Sequence, residues 1–201
     1  MKNLAHSASF HSRENNAPSN PGTKHLKAAS PASGSWARGI DRFGQLTVMC
    51  GGDQAPFDRA KPVIDAYAKS CLLLGPAGAG QLTKMVNQIC IAGLVQGLAE
   101  GMSFGLKAGL DMEKVIAVIS KGAAQSWQMD NRAKTMVQGK FDFGFAVDWM
   151  RKDLGICLAE AKKNGARLPV TALVDQFYGH VQARGGRRWD TSSLMNLLMQ
   201  D

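Results

Sequence analysis

The sequence predicts a mostly helical protein in which a short β-α-β segment precedes an all-helical domain. Strand-like apolar runs occur only between residues 45 and 77. From residue 78 the apolar residues follow a helical period almost to the C-terminus. Residues 1–44 show neither period. We therefore divide the chain into a leader (1–44), a β-α-β segment (45–77) and a helical domain (78–201).

Length and composition are ordinary for a globular protein. The chain has 201 residues, of which 45% are hydrophobic and 20% charged, so it can bury a sizeable core. It contains no run of 18 apolar residues and no signal-peptide core, which favours a cytoplasmic protein without a membrane partner. The four cysteines and four histidines show no metal-ligand spacing, so we predict mostly buried, reduced thiols and no metal.

The leader is basic and poor in apolar residues. The net charge is +8, and half of it lies in residues 1–44. This segment is rich in Ser, Asn, Pro, Gly and Ala, and it buries too little apolar surface to offset its ordering entropy, so we predict disorder. A basic nucleic-acid-binding protein is one alternative function, although charge without a reading motif is weak evidence for it.

Two short apolar runs and the helical stretch between them define the β-α-β segment. Residues 45–50, QLTVMC, form a β-type run that the turn sequence GGD closes. Asp53 can cap the helix that follows, which we expect to extend toward Ser70 with a kink or break at Pro62. Residues 71–74, CLLL, form the second predicted strand.

The helical domain begins with one long predicted helix over residues 81–108. Apolar residues fill most of its faces, so we expect it to be buried nearly all round. Asp111 and Ser126 stand where helix N-caps are expected, and Asp190 caps a last short helix. The remaining helices are predicted over residues 112–122, 147–164, 169–183 and 191–199, with another after Ser126.

Five glycines recur at every fourth position along this long helix. Each costs up to about 1 kcal/mol relative to alanine in a helix interior. Five in register indicate that another backbone approaches closely along the ridge, either within the domain or in a dimer. These glycines are Gly93, Gly97, Gly101, Gly105 and Gly109.

A polar strip interrupts the start of the long helix. Lys84, Asn87 and Gln88 share one helical face among apolar neighbours. Apolar surroundings and the positive end of the helix dipole both disfavour a charged lysine, which moves the amine toward acid/base chemistry at neutral pH. The alternative is that Lys84 extends to water and the two amides cap a loop.

The glycine loop before this helix matches no nucleotide motif. Thr83 stands where a dinucleotide fingerprint needs its third small residue, and the Gly-Lys-Ser/Thr of a phosphate loop is absent. Backbone amides at the helix start can still hold an anion.

Four ordered stretches resemble the β-hydroxyacid dehydrogenase family, which includes 3-hydroxyisobutyrate dehydrogenase and 6-phosphogluconate dehydrogenase. One of them matches the Gly-x-Gly-x-x-x-Lys signature of the family. The resemblance implies a Rossmann domain joined by a long helix to an all-helical domain of the 6-phosphogluconate dehydrogenase type, usually in homo-oligomers. The four stretches are GQLTVMCGGD, GPAGAGQLTKMVNQ, WMRKDLGICLAEAKKNGARLPV and DTSSLMNLL.

The resemblance also implies residue roles. Lys84 would be the general acid/base while hydride passes between a small hydroxy acid and nicotinamide. Asn87, Gln88 and Asp153 would bind the substrate; the family often has Asn where this sequence has Gln88, which leaves both amides as candidates. Without the resemblance, Lys152 and Asp153 are equally well explained as a solvated charge pair. The implied residues for binding NAD or NADP are Gly78, Gly80, Phe145 and Lys152.

The front of the family pattern is missing. No strand followed by Gly-x-Gly-x-x-Gly precedes residue 45, and SPASGS at residues 30–35 is only a faint match to the family's substrate loop. That glycine turn makes most of the contacts that bind a dinucleotide. We therefore expect this chain to be a truncated member of the family, with little or no turnover alone. A non-catalytic helical oligomerisation module is therefore a second alternative.

Overall fold

The computed structural model describes residues 27–29 and 46–199. The chain forms two compact units, and the boundary between them, between Val86 and Asn87, lies inside the long helix. The elements of the first unit are β1 (Lys27–Ala29), β2 (Leu46–Gly51), α1 (Gln54–Asp65), β3 (Ala68–Leu73) and the start of α2 (Ala79–Lys107).

The first unit contains a three-stranded sheet in the order β1-β2-β3. Strands β2 and β3 are parallel, with Cys50 opposite Leu73, and β1 pairs antiparallel to β2, with Lys27 opposite Gly51. Parallel neighbours need a crossover connection, and α1 supplies it. The predicted β-α-β segment is confirmed.

Three local features differ from prediction. Strand β1 lies inside the segment that we predicted to be disordered; the rest of residues 1–44 lies outside the described residues. Helix α1 ends at Asp65, because the following Ala68–Ser70 pair with β2 as part of β3. The expected break at Pro62 is wrong, since α1 continues through it.

A small core of its own fills the first unit. It contains Val48, Cys50, Phe57, Ile64 and Cys71. The Cys50 and Cys71 sulfurs lie 3.8 Å apart as free thiols. Burial, assisted by this neighbouring thiol, raises the pKa of Cys50 to about 12. The thiol therefore stays protonated at neutral pH, and it has no role as a nucleophile.

The second unit is helical. The N-caps predicted from sequence are confirmed: Asp111 accepts from the Lys114 amide, and Ser126 accepts from the Met129 amide. Asp190 also caps the last segment, which is a 3₁₀ helix rather than an α-helix. The elements after α2 are α3 (Met112–Ile119), α4 (Trp127–Val137), α5 (Val147–Asn164), α6 (Pro169–Ala183) and 3₁₀ helices at Gly186–Arg188 and Thr191–Leu197.

The core of the second unit is built around one face of α2. This face carries Ala92, Val95, Ala99 and Met102, all nearly inaccessible to solvent. Residues of α5, α6 and the terminal 3₁₀ helix complete the core. They include Met150, Leu154, Val174, Tyr178, Leu194 and Met195.

The other face of α2 is exposed, so the expectation that this helix is buried nearly all round is wrong. Phe104 is 74% exposed and Leu94 is 39% exposed. Apolar side chains surround the whole helix, but the helices in the described part of the chain cover only one side of it. Among the described residues, α2 alone has the length and composition to cross a membrane. Within its most apolar stretch of 18 residues, 44% is buried. A core helix of a globular protein has the same composition.

Candidate functional site

A buried amide–carboxylate pair lies at the start of the second unit. Gln88 of α2 is 1% exposed, and its Nε2 atom donates to Oδ2 of Asp153 over 2.8 Å. The same Nε2 atom lies 3.7 Å from the Met150 sulfur. A buried carboxylate needs hydrogen bonds to offset its lost hydration, and Gln88 supplies one. The structure therefore pairs Gln88, rather than Asn87, with Asp153.

Asn87 extends this pair into a chain of three polar side chains. Its Nδ2 atom donates to Oε1 of Gln88 over 3.0 Å. Gln88 thus uses its carbonyl toward Asn87 and its amino group toward Asp153. Both amide orientations follow from a single anchor, the Asp153 carboxylate.

Asp153 lies in the second turn of α5 and is only 8% exposed, whereas Lys152 beside it is exposed. The interpretation of these residues as a solvated charge pair is therefore wrong for Asp153. One turn later, burial and then the negative charge of Asp153 raise the pKa of Cys157 to about 11. Cys157 stays a neutral thiol and is excluded as a nucleophile.

Phe145 immediately precedes α5 and is held through its backbone. Its N–H donates to Oδ2 of Asp190 over 2.9 Å. Its half-buried ring packs against Trp149, with ring centroids 5.7 Å apart. The sequence identified Asp190 as a helix cap, but nothing in the spacing indicated this contact across 45 residues.

The other carboxylate oxygen of Asp190 forms a buried ion pair with Arg132. Arg132 Nε donates to Oδ1 of Asp190 over 3.0 Å, and the two side chains are 9% and 1% exposed. The Arg132 guanidinium lies 5.0 Å from the ring centroids of Trp127 and Phe143. Sequence reasoning missed Arg132, because a lone arginine on a helix carries no motif.

The remaining predicted residues belong to the first unit. Lys84 is half-buried on the part of α2 that lies there. Gly80 has a packing reason to be glycine, since a Cβ at this position would overlap the Met49 carbonyl oxygen of β2. Gly78 has φ +103° with open space around it, so its backbone, rather than a contact, requires glycine. No cluster of three or more His, Cys, Asp or Glu occurs within the described residues.

Family models match both parts of the chain. The model for the "NAD-binding of NADP-dependent 3-hydroxyisobutyrate dehydrogenase" matches residues 78–198. The model for the "NAD binding domain of 6-phosphogluconate dehydrogenase" matches residues 19–75, and thus begins upstream of the boundary predicted at residue 45.

Individual relatives agree with the family models. An uncharacterized oxidoreductase of Shewanella frigidimarina is 70% identical over 166 residues, which are 83% of this chain and 56% of that protein. The 2-hydroxy-3-oxopropionate reductase of Escherichia coli is 34% identical and covers 78% of this chain and 54% of its own length. The crystal structure of a 3-hydroxyisobutyrate dehydrogenase from Salmonella typhimurium is 30% identical with a TM-score of 0.75, covering 87% of this chain and 60% of its own.

The fold and these matches relate the chain to oxidoreductases of the NAD(P)-linked class. Within that class, it belongs to the β-hydroxyacid dehydrogenase family. The chain spans about half the length of the curated relatives that it matches.

Proposed function

We propose that this chain carries the proton-transfer and substrate-binding side of an NAD(P)-dependent dehydrogenase for small 3-hydroxy acids. The observation that carries the proposal is the buried bond from Gln88 to Asp153, with Asn87 bonded to Gln88. Such a fixed pair of amides, rigid and partly desolvated, is suited to orienting a substrate hydroxyl. The name of the Escherichia coli relative, 2-hydroxy-3-oxopropionate reductase, favours a small hydroxy acid as substrate.

Lys84 is proposed as the general acid/base. It precedes Gln88 by four residues on the continuous helix α2, and residues at this spacing share a face. Its amine would take the hydroxyl proton when the alcohol is oxidised and return it in the reverse direction. Asn87 would accept from the same hydroxyl, because its Oδ1 atom makes no hydrogen bond within the described residues.

The start of α5 has groups that fit NAD or NADP. Phe145 offers a half-buried aromatic ring, which suits a nicotinamide ring, and Lys152 offers an exposed cation, which suits a carboxamide or phosphate. Gly78 has open space where a Cβ would stand, whereas the Met49 carbonyl fills that space at Gly80, so of these two glycines only Gly78 would leave room for a bound group. A nicotinamide bound there supplies the hydride acceptor. The protein's own contribution is to bind the cofactor and the substrate, to orient them and to exclude water.

Titration of NADH and NADPH by fluorescence, followed by a hydroxy-acid oxidation assay with the chain in excess, tests this proposal. We expect any turnover to fall about 10-fold or more in Asp153→Asn, because one acceptor oxygen of the Gln88 anchor becomes a donor. Glu160→Gln is the matched control, since Glu160 lies on the same helix and pairs only with Lys163 at the surface. Failure to bind either nucleotide or oxidise any hydroxy acid would instead favour a non-catalytic helical oligomerisation module.

The exposed face of α2 supports a homo-oligomer. Gly97 and Gly101 have open space where a Cβ would stand, whereas Gly105 packs against Met112. The two open glycines line a groove of about 300 Å³ together with Leu94 and Ile119. Within the described residues, a Cβ would overlap another side chain at Gly105 and would make an ordinary contact with Val170 at Gly93, but neither explains the ridge at Gly97 and Gly101. We propose that a second copy of the chain covers Gly97 and Gly101.

Gly97→Ala gives opposite effects on stability and association. We expect the isolated chain to gain about 0.5–1 kcal/mol in stability, because alanine is the better helix former and no atom of the described residues obstructs its Cβ. Self-association, measured by sedimentation velocity, should weaken if a second backbone approaches this ridge. Gly155→Ala is the control, since Gly155 also has open space but lies on α5. Equal association of both variants and the parent would rule out this interface.

We further propose that the protein works in the cytoplasm without a membrane or nucleic-acid partner. The face of α2 that packs into the core, together with Glu100 and Lys107 on the same helix, favours a globular core helix over a membrane span. Half of the net positive charge that suggested a nucleic-acid-binding protein lies in residues 1–44. Salt-dependent binding to DNA would revive that alternative.

A further inference from the structure

The segment from Phe141 to Val147, which leads into α5, is bound along its length by residues 189–191. An isolated β-bridge joins Ala146 to Asp190. Backbone bonds continue on both sides of it. They run from the Asp190 N–H to the Phe141 carbonyl (2.9 Å), from the Thr191 N–H to the Phe145 carbonyl (3.0 Å) and from the Val147 N–H to the Trp189 carbonyl (2.9 Å).

The Asp190 carboxylate is the centre of this arrangement. Oδ2 accepts from the Phe145 N–H over 2.9 Å. Oδ1 accepts from Arg132 Nε and from the Ser192 N–H, each over 3.0 Å. Charge-assisted bonds of this kind are stronger than neutral ones, and here the Asp190 carboxylate and the Arg132 side chain are both buried. The Phe145 backbone is thereby tied to a buried charge.

Gly144 shows how closely the segment wraps this carboxylate. It has φ +71°, and a Cβ there would clash with the Asp190 carboxyl group. The neighbouring Phe143 ring lies against Arg132. Two adjacent residues therefore contact the two members of the ion pair, which leaves Phe145 little freedom to move independently of it.

We propose that Asp190 is a positioning residue that sets the place of Phe145 and of the first turn of α5. Its carboxylate acts through the Phe145 N–H, and the Phe145 ring packs in turn on Trp149 of α5. This inference rests on the proposed function, which gives Phe145 its role beside the cofactor. In that case residues 189–191, to which we assign no reacting group, determine where the Phe145 ring lies in the site.

Asp190→Asn tests the link, because it keeps the shape and exchanges one acceptor oxygen for a donor. We expect the Phe145 amide to exchange with solvent deuterium at least about 10-fold faster, as loss of one hydrogen bond to a charged group permits. Asp175→Asn is the control, since it changes the ion pair of Asp175 with Arg151, which shares no residue with the ion pair of Arg132 with Asp190. The Phe145 amide should exchange at the parental rate in that control.

A merely structural role would raise exchange at the core residues Leu154 and Val174 by the same factor as at Phe145, and that result overturns the proposal. Unchanged exchange at Phe145 overturns it as well. Should Asp190→Asn fail to fold, native-state exchange of the unmodified chain decides. The Phe145, Val147 and Thr191 amides must then open together, and independent opening contradicts the link.

The nucleotide titration separates this inference from the proposed function. We expect Asp190→Asn to raise the dissociation constant for NADH several-fold while Asp175→Asn leaves it unchanged. If both variants and the parent bind NADH with equal affinity, Asp190 does not position Phe145 for cofactor binding. If the unmodified chain binds neither NADH nor NADPH, the proposed function is wrong, and so is the role of Phe145 beside the cofactor. The exchange experiment still decides whether Asp190 holds the Phe145 backbone in place.

Discussion

Lys84→Ala is expected to lower the rate of hydroxy-acid oxidation about 10²- to 10⁴-fold, the range that a positioned general acid or base contributes. The alcohol proton must leave as hydride is transferred, and Lys84 is the charged residue nearest in sequence to the Asn87–Gln88 pair on α2. The substitution should lower the maximal single-turnover rate more than it weakens substrate binding, because proton transfer belongs to the transition state. The measurement is NAD(P)H formation with the chain in excess over substrate, compared with the unmodified chain in the same assay.

Two further variants separate proton transfer from simple charge. Lys84→Arg keeps the positive charge, but a guanidinium stays protonated at neutral pH and cannot act as a base, so it should be nearly as slow as Lys84→Ala. Lys107→Ala removes an exposed lysine from the last turn of the same helix and should leave the rate unchanged. Normal turnover in Lys84→Arg would show that the residue serves only to attract the anionic substrate.

Local signals in the sequence were sufficient for most of the second unit. The caps at Asp111 and Ser126 act within three residues, so their sequence pattern determines them. Helix α5 ends at Gly165 in the left-handed conformation, which is again a local preference. Strand β3 was placed less well, because its first residues are drawn into the sheet by β2, a partner some twenty positions away in the chain.

The site itself was predictable only in part. The shared face of Lys84 and Gln88 follows from helical spacing, but the bond from Gln88 to Asp153 spans 65 residues and depends on how α2 and α5 pack. Resemblance to the family, rather than spacing, identified Asp153. The same resemblance did not indicate Arg132, and a cap pattern explained only one of the contacts of Asp190. Long-range contacts of this kind carry no periodic signal.

The long helix shows a different kind of limit. Its apolar residues are spread round its circumference, so the sequence alone cannot tell burial within one chain from burial against another. The core face meets α5 and α6, whereas Phe104 is largely exposed and no residue that the structure describes lies near the Cβ positions of Gly97 and Gly101. A pattern that predicts burial therefore becomes evidence for association once the chain's own contacts are known.

Arg132→Met is expected to destabilise the second unit by about 3–5 kcal/mol, the usual cost of removing one partner of a buried ion pair. Met replaces the apolar stem of arginine but leaves Asp190, 1% exposed, with an uncompensated negative charge. It also removes the guanidinium from between the Trp127 and Phe143 rings. Urea unfolding followed by circular dichroism measures the effect.

Lys163→Met provides the comparison, because the Lys163 side chain is 73% exposed in its pair with Glu160 and should contribute only about 0–1 kcal/mol. The double variant Arg132→Met/Asp190→Asn then isolates the cause. If the cost comes from the unpaired charge, neutralising Asp190 should recover part of the stability lost in Arg132→Met, although the Phe145 amide would remain poorly held. If the double variant is less stable by the full sum of the two single losses, the ion pair contributes nothing specific, and packing of the arginine stem and its two aromatic neighbours accounts for the stability instead.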